Sequence, residues 1–254
     1  MELPVNHFKR AIMAGQQQIG FWNSMASSTA TEILSGSGFD WLLIDAEHAP
    51  NDVPGVLAQL HAMMENSTHP IVRIPQNDPI VIKRYLDIGT QTFLIPMVET
   101  VEQAQAAVAA TRFAPDGLRG FAGASRASRF GRVARYHHLA HEELCILVQI
   151  ETQQGLDNLE AIAAVPGIDG LFIGPGDLSA DLGYLADQGN PFIVELIEKT
   201  IGRIIATGNR AGILTGDEML ARRYMAAGCT FTAVGIDTGL LARATEAIAK
   251  KYKG

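Results

Sequence analysis

The chain has 254 residues, of which 47% are hydrophobic and 19% are charged, so it can bury the core of a large single domain. Its formal net charge is −7 at pH 7, and this excess of acid gives no global attraction for nucleic acid or for anionic membranes. We therefore expect neither a nucleic-acid partner nor a membrane partner.

The start of the chain and its cysteines indicate a cellular compartment. The first ten residues lack the cationic start and apolar block of a secretory signal, and no uncharged run approaches membrane-spanning length. Cys145 and Cys229 begin or precede apolar runs, which predicts buried free thiols rather than a disulfide or a zinc site. Both observations predict a cytoplasmic protein.

Strand-like and helix-like segments alternate along the whole chain. The strand-like runs are Ile19–Ser24, Asp40–Asp45, His69–Ile74, Thr92–Met97, Leu144–Ile150, Asp169–Gly174, Ala211–Leu214 and Thr230–Gly235. The helix-like runs are Thr29–Ser35, Val53–Met64, Pro79–Leu86, Val101–Phe113, Gly155–Ala164, Pro191–Ala206, Glu218–Ala227 and Leu240–Lys251. A short opening helix, Val5–Gly15, is expected to close the barrel bottom. Eight βα pairs without a repeat or a linker predict one TIM (β/α)8-barrel domain over residues 1–254.

One stretch, Ala114–Ala134, departs from this alternation. It is long, rich in Gly and Arg and without periodicity, and loops of this kind in compact domains are usually functional or interfacial. Its arginines can recognise an acidic aldehyde, or face solvent or another subunit. The histidines that follow, His137, His138 and His141, have a spacing that allows a metal site, but their place away from a strand end favours a surface patch.

Polar side chains collect at the carboxyl ends of four predicted strands. In chain order they are Asp45, Glu47 and His48, then Arg73, then Glu151, then Asp177. Carboxyl ends of barrel strands share one face, where catalytic groups of this fold lie. The pattern predicts an active site that combines a base, a guanidinium and carboxylates.

Glu151 and Asp177 are the predicted metal ligands, and the alternative is that they cap the following helices. Two carboxylates leave most positions around a divalent cation open to water or to a 2-oxo acid that chelates through oxygen. Mg²⁺, Mn²⁺ and Co²⁺ all accept such ligands. A cation there would act as a Lewis acid on the keto group and stabilise an enolate.

His48 is the predicted proton acceptor, and Arg73 is predicted to stabilise the developing oxyanion. A structural core histidine and a simple ion pair are the alternatives for these two residues. Asp45 is a candidate supporting partner, whereas Leu214 is expected in the core. None of the six lysines lies at a strand end, which disfavours a Schiff-base mechanism.

Five segments together resemble the 4-hydroxy-2-oxo-acid aldolases, the family of the 4-hydroxy-2-oxoheptanedioate and 2-keto-3-deoxy-glucarate aldolases. They are Phe39–Asn51, Leu86–Gly89, Ile95–Val98, Leu147–Glu151 and Ile173–Ser179, within a similarity that runs from about Ile19 to Lys251. The resemblance implies a divalent-metal-dependent class II aldolase, which reversibly cleaves a 4-hydroxy-2-oxo acid to pyruvate and an aldehyde.

The resemblance also implies a role for individual residues. It makes His48 the base, Arg73 the transition-state stabiliser and Asp87 the carboxylate that raises the basicity of the histidine. It makes Glu151 and Asp177 the metal ligands, and Gln149 and Gly176 contacts of the oxo acid, together with Arg73 and Asp177. Relatives often carry Ala or Ser where this chain has Gly176.

Asp87 resembles a family residue that a neighbouring subunit supplies to the active site. The resemblance therefore implies a homo-oligomer. We expect a hexamer built as a trimer of dimers, and the apolar surplus of the last helix agrees with packing on another chain. An acyl-CoA lyase on the related barrel is the alternative enzyme, although this chain is short for a CoA-binding extension. A barrel that binds an oxo acid without turnover is the non-enzymatic alternative.

Overall fold

The computed structural model, which covers Met1–Gly254, is a closed barrel of eight parallel strands in chain order. The strands are β1 (Gln18–Asn23), β2 (Trp41–Asp45), β3 (His69–Arg73), β4 (Thr92–Ile95), β5 (Cys145–Ile150), β6 (Gly170–Ile173), β7 (Ala211–Leu214) and β8 (Phe231–Ile236). Each strand pairs with its chain neighbours, and β8 pairs with β1 to close the barrel.

Twelve α-helices surround this barrel. They are α1 (His7–Met13), α2 (Ser28–Ser35), α3 (Val53–Ala62), α4 (Pro79–Asp87), α5 (Val101–Thr111), α6 (Tyr136–Leu139), α7 (Gln153–Asp157), α8 (Leu159–Ala163), α9 (Pro175–Asp181), α10 (Pro191–Ala206), α11 (Glu218–Ala226) and α12 (Asp237–Lys253). One 3-10 turn, Ala140–Glu143, precedes β5. None of the helices combines the length and the apolar character that crossing a bilayer requires.

The TIM-barrel prediction is confirmed, and every predicted strand is present within two residues of its predicted ends. The prediction of one continuous helix over Gly155–Ala164 was wrong, because two helices, α7 and α8, cover this stretch. The break lies at Asn158, whose side chain donates a hydrogen bond to the Glu99 carbonyl at 2.8 Å. Helix α9 begins at Pro175 after the N-cap residue Gly174, because proline suits the first position of a helix.

Alternation along the strands separates two apolar layers. In β5, Cys145 and Leu147 belong to a cluster of 12 buried residues inside the barrel. Their neighbours Ile146, Val148 and Ile150 belong to a cluster of 40 buried residues between strands and helices. Successive strand side chains point to opposite faces, so position parity decides which residues enter the barrel.

Aromatic side chains fill the amino-terminal end of the barrel. Phe8 of α1 packs edge-on against Phe231 and Trp41, with ring centroids 5.8 and 6.1 Å apart. A Cβ on Gly20 would overlap the Trp41 ring, so only glycine allows this close packing. The predicted opening helix therefore closes the bottom, and the opposite end remains for a site.

The stretch 114–134 forms turns without a helix or a strand of its own, as predicted. Arg119 in it is buried, not solvated, and its guanidinium carbon lies 4.4 Å from the Phe113 ring centroid and 5.6 Å from that of Tyr136. His137 packs 4.4 Å from the Phe121 ring, and its cluster does not form a metal site. Both cysteines are free and buried, as predicted.

Candidate active site

A cavity of about 640 Å³ lies at the carboxyl ends of the strands. Asp45, Arg73 and Gln149 enter it because they continue the inward parity of β2, β3 and β5. The remaining lining includes His48, Gly176, Asp177, Trp22, Ser24 and Leu214. Five of the seven residues that the sequence singled out therefore line one cavity, whereas Glu151 and Asp87 do not.

Arg73 is held between two carboxylates at the centre of this site. Its Nε and Nη2 donate to Asp45 Oδ1 and Oδ2 at 3.0 and 2.7 Å, and Nη1 lies 2.9 Å from Glu47 Oε2. The Arg73 contacts help to hold the pKa of the Asp45 carboxyl below its usual value, although burial acts in the opposite direction. Asp45 therefore supports Arg73, as the sequence suggested. The ion pair between Asp45 and Arg73 lies inside the cavity.

Sequence reasoning missed Trp22 and understated Glu47. The Trp22 indole donates to Asp45 Oδ2 at 3.2 Å, and its ring centroid lies 4.9 Å from the Arg73 guanidinium carbon. Inward parity at the end of β1 was the available signal for Trp22. Glu47 contacts Arg73 on one side and lies 3.8 Å from His48 Nε2 on the other.

The His48 side chain is 64% exposed and lines the cavity, so the core-histidine alternative is wrong. The backbone N–H groups of Glu47 and His48 point to Asp45 Oδ1, at 3.0 and 3.4 Å. The loop that carries the imidazole is therefore tied to the same carboxylate that holds Arg73. A base and a guanidinium placed together in this way can serve one substrate.

Glu151 lies behind the cavity wall and is only 2% exposed. It accepts hydrogen bonds from the Met97 N–H, at 2.8 Å, and from the Gln149 amide. Burial raises the pKa of Glu151 to about 7, and the charges of Glu47 and Asp177 add to this increase. Thr152, not Glu151, caps the next helix, so the capping alternative for Glu151 is wrong.

Asp177 lies in the first turn of α9 and lines the cavity. Gly174 occupies the N-cap position, which also excludes the capping alternative for Asp177. Gly176 lies in the same turn, where backbone N–H groups have no acceptor within the helix. Leu214 packs against the buried cluster inside the barrel, as expected, and it also lines the cavity.

The oxygen groups around Glu151 and Asp177 suit a divalent cation. No three or more His, Cys, Asp or Glu side chains cluster at metal-binding spacing. Gln149 Oε1 is buried without a hydrogen-bond partner, and a Cβ on Gly174 would lie 2.5 Å from Glu151 Oε2. A hard divalent cation fits this arrangement, because it binds oxygen atoms. The site offers the carboxylates of Glu151 and Asp177, the unpartnered oxygen of Gln149 and the space beside Gly174.

Asp87 lies far from this cavity in its own chain. It is the last residue of α4, five residues before β4 begins at Thr92, at the amino-terminal end of the barrel. Its Oδ1 is 3.6 Å from the Arg119 guanidinium, and its side chain is 32% exposed. A second cavity of about 600 Å³ at this end contains neither His48 nor a strand-end carboxylate.

Comparisons with known proteins agree with the fold. Residues 18–244 match the family model described as HpcH/HpaI aldolase/citrate lyase. The chain is 52% identical over 252 residues to a pyruvate aldolase from Rhizobium etli, with 99% of each chain covered. It is 51% identical over 248 residues to a 4-hydroxy-2-oxo-heptane-1,7-dioate aldolase from Salmonella typhimurium, covering 97% of this chain and 94% of the other.

Among solved structures, a HpcH/HpaI aldolase/citrate lyase family protein from Burkholderia cenocepacia superposes with a TM-score of 0.94 at 38% sequence identity. The superposition covers 98% of this chain and 100% of that one. The family model spans the barrel from β1 into α12, and the relatives match over nearly their full length. The chain belongs to the HpcH/HpaI aldolase/citrate lyase family.

Proposed function

We propose that this chain is a class II aldolase that uses a divalent metal ion to cleave 4-hydroxy-2-oxo acids reversibly to pyruvate and an aldehyde, with residues 1–254 as one catalytic domain. The observation that carries the proposal is Arg73, oriented by Asp45 beside His48 and the carboxylates in one cavity. Identity of about half to relatives named as aldolases gives the reaction class, a carbon–carbon lyase.

Glu151 and Asp177 would hold the divalent cation, with Mg²⁺, Mn²⁺ or Co²⁺ as candidates. When bound, the cation supplies a Lewis acid for the 2-keto oxygen of the substrate. Gln149 and the N–H of Gly176 are placed to bind the oxo-acid group, since the amide lines the cavity and the helix turn offers a free donor.

In cleavage, His48 accepts the proton of the C4 hydroxyl as the C3–C4 bond breaks. The electron pair of that bond moves toward the C2 oxygen, and the carbonyl of the aldehyde forms from the hydroxyl. The enolate that remains gains a proton at C3 and becomes pyruvate. Arg73 donates charge-assisted hydrogen bonds to the C2 oxygen while its charge develops. Glu47, 3.8 Å from His48 Nε2, is placed to stabilise the imidazolium that results.

We also propose that the active form is a homo-oligomer, a hexamer arranged as a trimer of dimers. Most of α12 is exposed, and Leu240, Leu241 and Ile248 expose 60%, 50% and 55% of their surface. Asp87 cannot serve the His48 of its own chain from the opposite end of the barrel, so a shared site between chains would explain its role.

Free, buried Cys145 and Cys229 agree with the reducing environment of the cytoplasm.

Pyruvate release tests the reaction. The purified protein is supplied with Mn²⁺ and with 4-hydroxy-2-oxo acids made from succinic semialdehyde or tartronate semialdehyde, and pyruvate is followed by a coupled dehydrogenase assay. We expect turnover with at least one of them, and the ratio of kcat/KM values will rank the aldehydes. Absence of cleavage of any hydroxy-oxo acid with all three metals would favour the alternative, a barrel that binds an oxo acid without turnover.

A further inference from the structure

A line of buried amide side chains runs behind the loop that carries His48. Asn23 Nδ2 donates to Gln59 Oε1 at 2.9 Å, and Gln59 Nε2 donates to Asn51 Oδ1 at 3.0 Å. Asn51 Nδ2 then donates to the backbone oxygen of Asp45 at 3.0 Å. The line connects the end of β1, helix α3 and the end of β2 in one direction, each amide donating toward the loop.

This line lies in the layer between strands and helices, where most buried side chains are apolar. Asn23 and Gln59 are fully buried there, and Asn23 gives its second hydrogen to Thr31 of α2 at 2.7 Å. The second Gln59 hydrogen goes to the Gly55 carbonyl at 3.2 Å. Burying amides costs free energy unless they are hydrogen-bonded, and a connected network fixes one arrangement of the elements that it joins.

The line of buried amides holds the loop between β2 and α3 in place. Asp45 Oδ1 ties its first half through the N–H groups of Glu47 and His48, and Asn51 closes its end on the Asp45 carbonyl. The His48 ring is 64% exposed and lies 3.8 Å from Glu47, so it has little packing of its own to fix it. The backbone of the loop must therefore determine where the imidazole points.

We propose that Asn51 and Gln59 are positioning residues for His48: the buried amide line holds the 46–50 loop at the distance and angle that proton transfer from the substrate requires. This inference rests on the proposed aldolase function. A displacement of about 1 Å can cost roughly 100-fold in rate when a reacting group is misplaced. The line therefore acts on catalysis without touching the substrate.

Gly55 offers a variant that separates positioning from stability. A Cβ at Gly55 would lie 2.5 Å from Asn51 Oδ1, so alanine must displace the Asn51 side chain. Alanine is otherwise the better helix former by about 1 kcal/mol. Gly55→Ala should therefore fold at least as readily as Asn51→Ala and still lose the closure of the loop.

Two reactions distinguish the base from the rest of the site. Cleavage of a hydroxy-oxo acid requires removal of the hydroxyl proton, whereas decarboxylation of oxaloacetate breaks a C–C bond, releases CO₂ and leaves the electron pair on the pyruvate unit with no proton to remove. We expect Asn51→Ala, Asn51→Asp and Gly55→Ala to lower kcat for cleavage by roughly 10- to 100-fold. Decarboxylation should stay within about threefold of its original rate, since the loop does not supply a base for that bond.

Asn66→Ala is the matched control, because Asn66 donates to Ser35 Oγ at 2.8 Å in the loop that follows α3 at the other end of the barrel. It should leave both reactions unchanged. Without metal or substrate, amide hydrogen exchange of residues 46–50 should become faster in the Asn51 and Gly55 variants and not in Asn66→Ala.

Unchanged cleavage in Asn51→Ala, or an equal loss of both reactions in the Asn51 and Gly55 variants, would overturn the positioning role. Protein that cleaves no hydroxy-oxo acid even before mutation would instead contradict the proposed function, so the two failures are distinguishable.

Discussion

Arg73 and Asp45 are joined by two parallel hydrogen bonds, 3.0 Å from Nε to Oδ1 and 2.7 Å from Nη2 to Oδ2. The Nη1 atom of the guanidinium lies 2.9 Å from Glu47 Oε2 as an ion pair. An arginine has five N–H donors and Asp45 accepts from two of them, so three remain for Glu47 and a substrate oxygen. The carboxylates thus fix the plane of the guanidinium without using all of its donors.

Arg73→Lys should lower kcat by roughly 10²- to 10³-fold, because an ammonium cannot make the paired bonds to Asp45 and also reach the substrate oxygen. Asp45→Asn should cause a smaller loss by weakening the hold on Arg73. Steady-state kinetics provides the measurement, with circular dichroism to check folding. Unchanged kcat in Arg73→Lys would argue that the residue supplies charge alone.

His48→Ala should lower kcat for cleavage by roughly two to four orders of magnitude, since the site loses its proton acceptor. The exposed side chain contributes little to packing, so the melting temperature should change little. His61→Ala, in the last turn of α3, is a control histidine outside the cavity and should retain activity. Comparable turnover of the His48 variant and the unmodified chain would remove His48 from the mechanism.

Chelation should abolish cleavage, and added Mn²⁺ or Mg²⁺ should restore it. Glu151→Ala and Asp177→Ala should not recover, and isothermal titration should show weak or no Mn²⁺ binding because each loses one of two carboxylate ligands. Asp181→Ala is the matched control, because it removes an exposed carboxylate from the same helix α9. Mn²⁺ affinity in Glu151→Ala equal to that of the unmodified chain would contradict the assignment.

Asp87→Ala and His48→Ala should each be inactive alone, and a mixture should regain activity after subunit exchange. If each site joins His48 of one chain to Asp87 of another, random pairing restores about one quarter of the sites. Light scattering should give the mass of a hexamer. A fully active monomer, or a mixture that stays inactive although its subunits exchange, would contradict the shared site.

Acid should destabilise the fold through His69. Burial and the charge of His7 lower the pKa of His69 from 6.5 to about 3. Its Nε2 lies 2.8 Å from Thr92 Oγ1, a hydroxyl that already accepts from Asn6 and is therefore free to donate to the neutral ring. The unfolded chain takes up the proton first, so stability is retained above pH 6.5 and falls as the pH drops from 6.5 toward 3.

Between pH 6.5 and 5 this loss is at most about 2 kcal/mol. In His69→Gln the decrease in unfolding free energy over the same interval should be smaller by that amount. Urea unfolding at the two pH values measures the difference. Equal pH dependence in both proteins would show that His69 does not take up a proton differently in the folded and unfolded chains.

The barrel and most of the residues that line its cavity could be predicted from the amino-acid sequence. Apolar runs between segments of helical periodicity predicted all eight strands. A strand that is buried on both faces is a nearly continuous apolar run, which is easy to recognise in a sequence. Residues just after those runs, such as His48 and Asp177, were predictable because parallel strands end on one face. The local breaks in helices, as at Asn158, were not, since a single side-chain bond to Glu99 decides them.

The contacts between those residues could not be predicted from the sequence and depend on the folded chain. Asp45 binds Arg73 across two strands, and Gln59 reaches Asn51 from a helix, contacts that no local pattern records. The structure also placed Asp87 at the other end of the barrel, a separation that depends on the direction in which α4 runs. Local periodicity reports which face a residue occupies, whereas partners and distances depend on packing between segments that are remote in the chain.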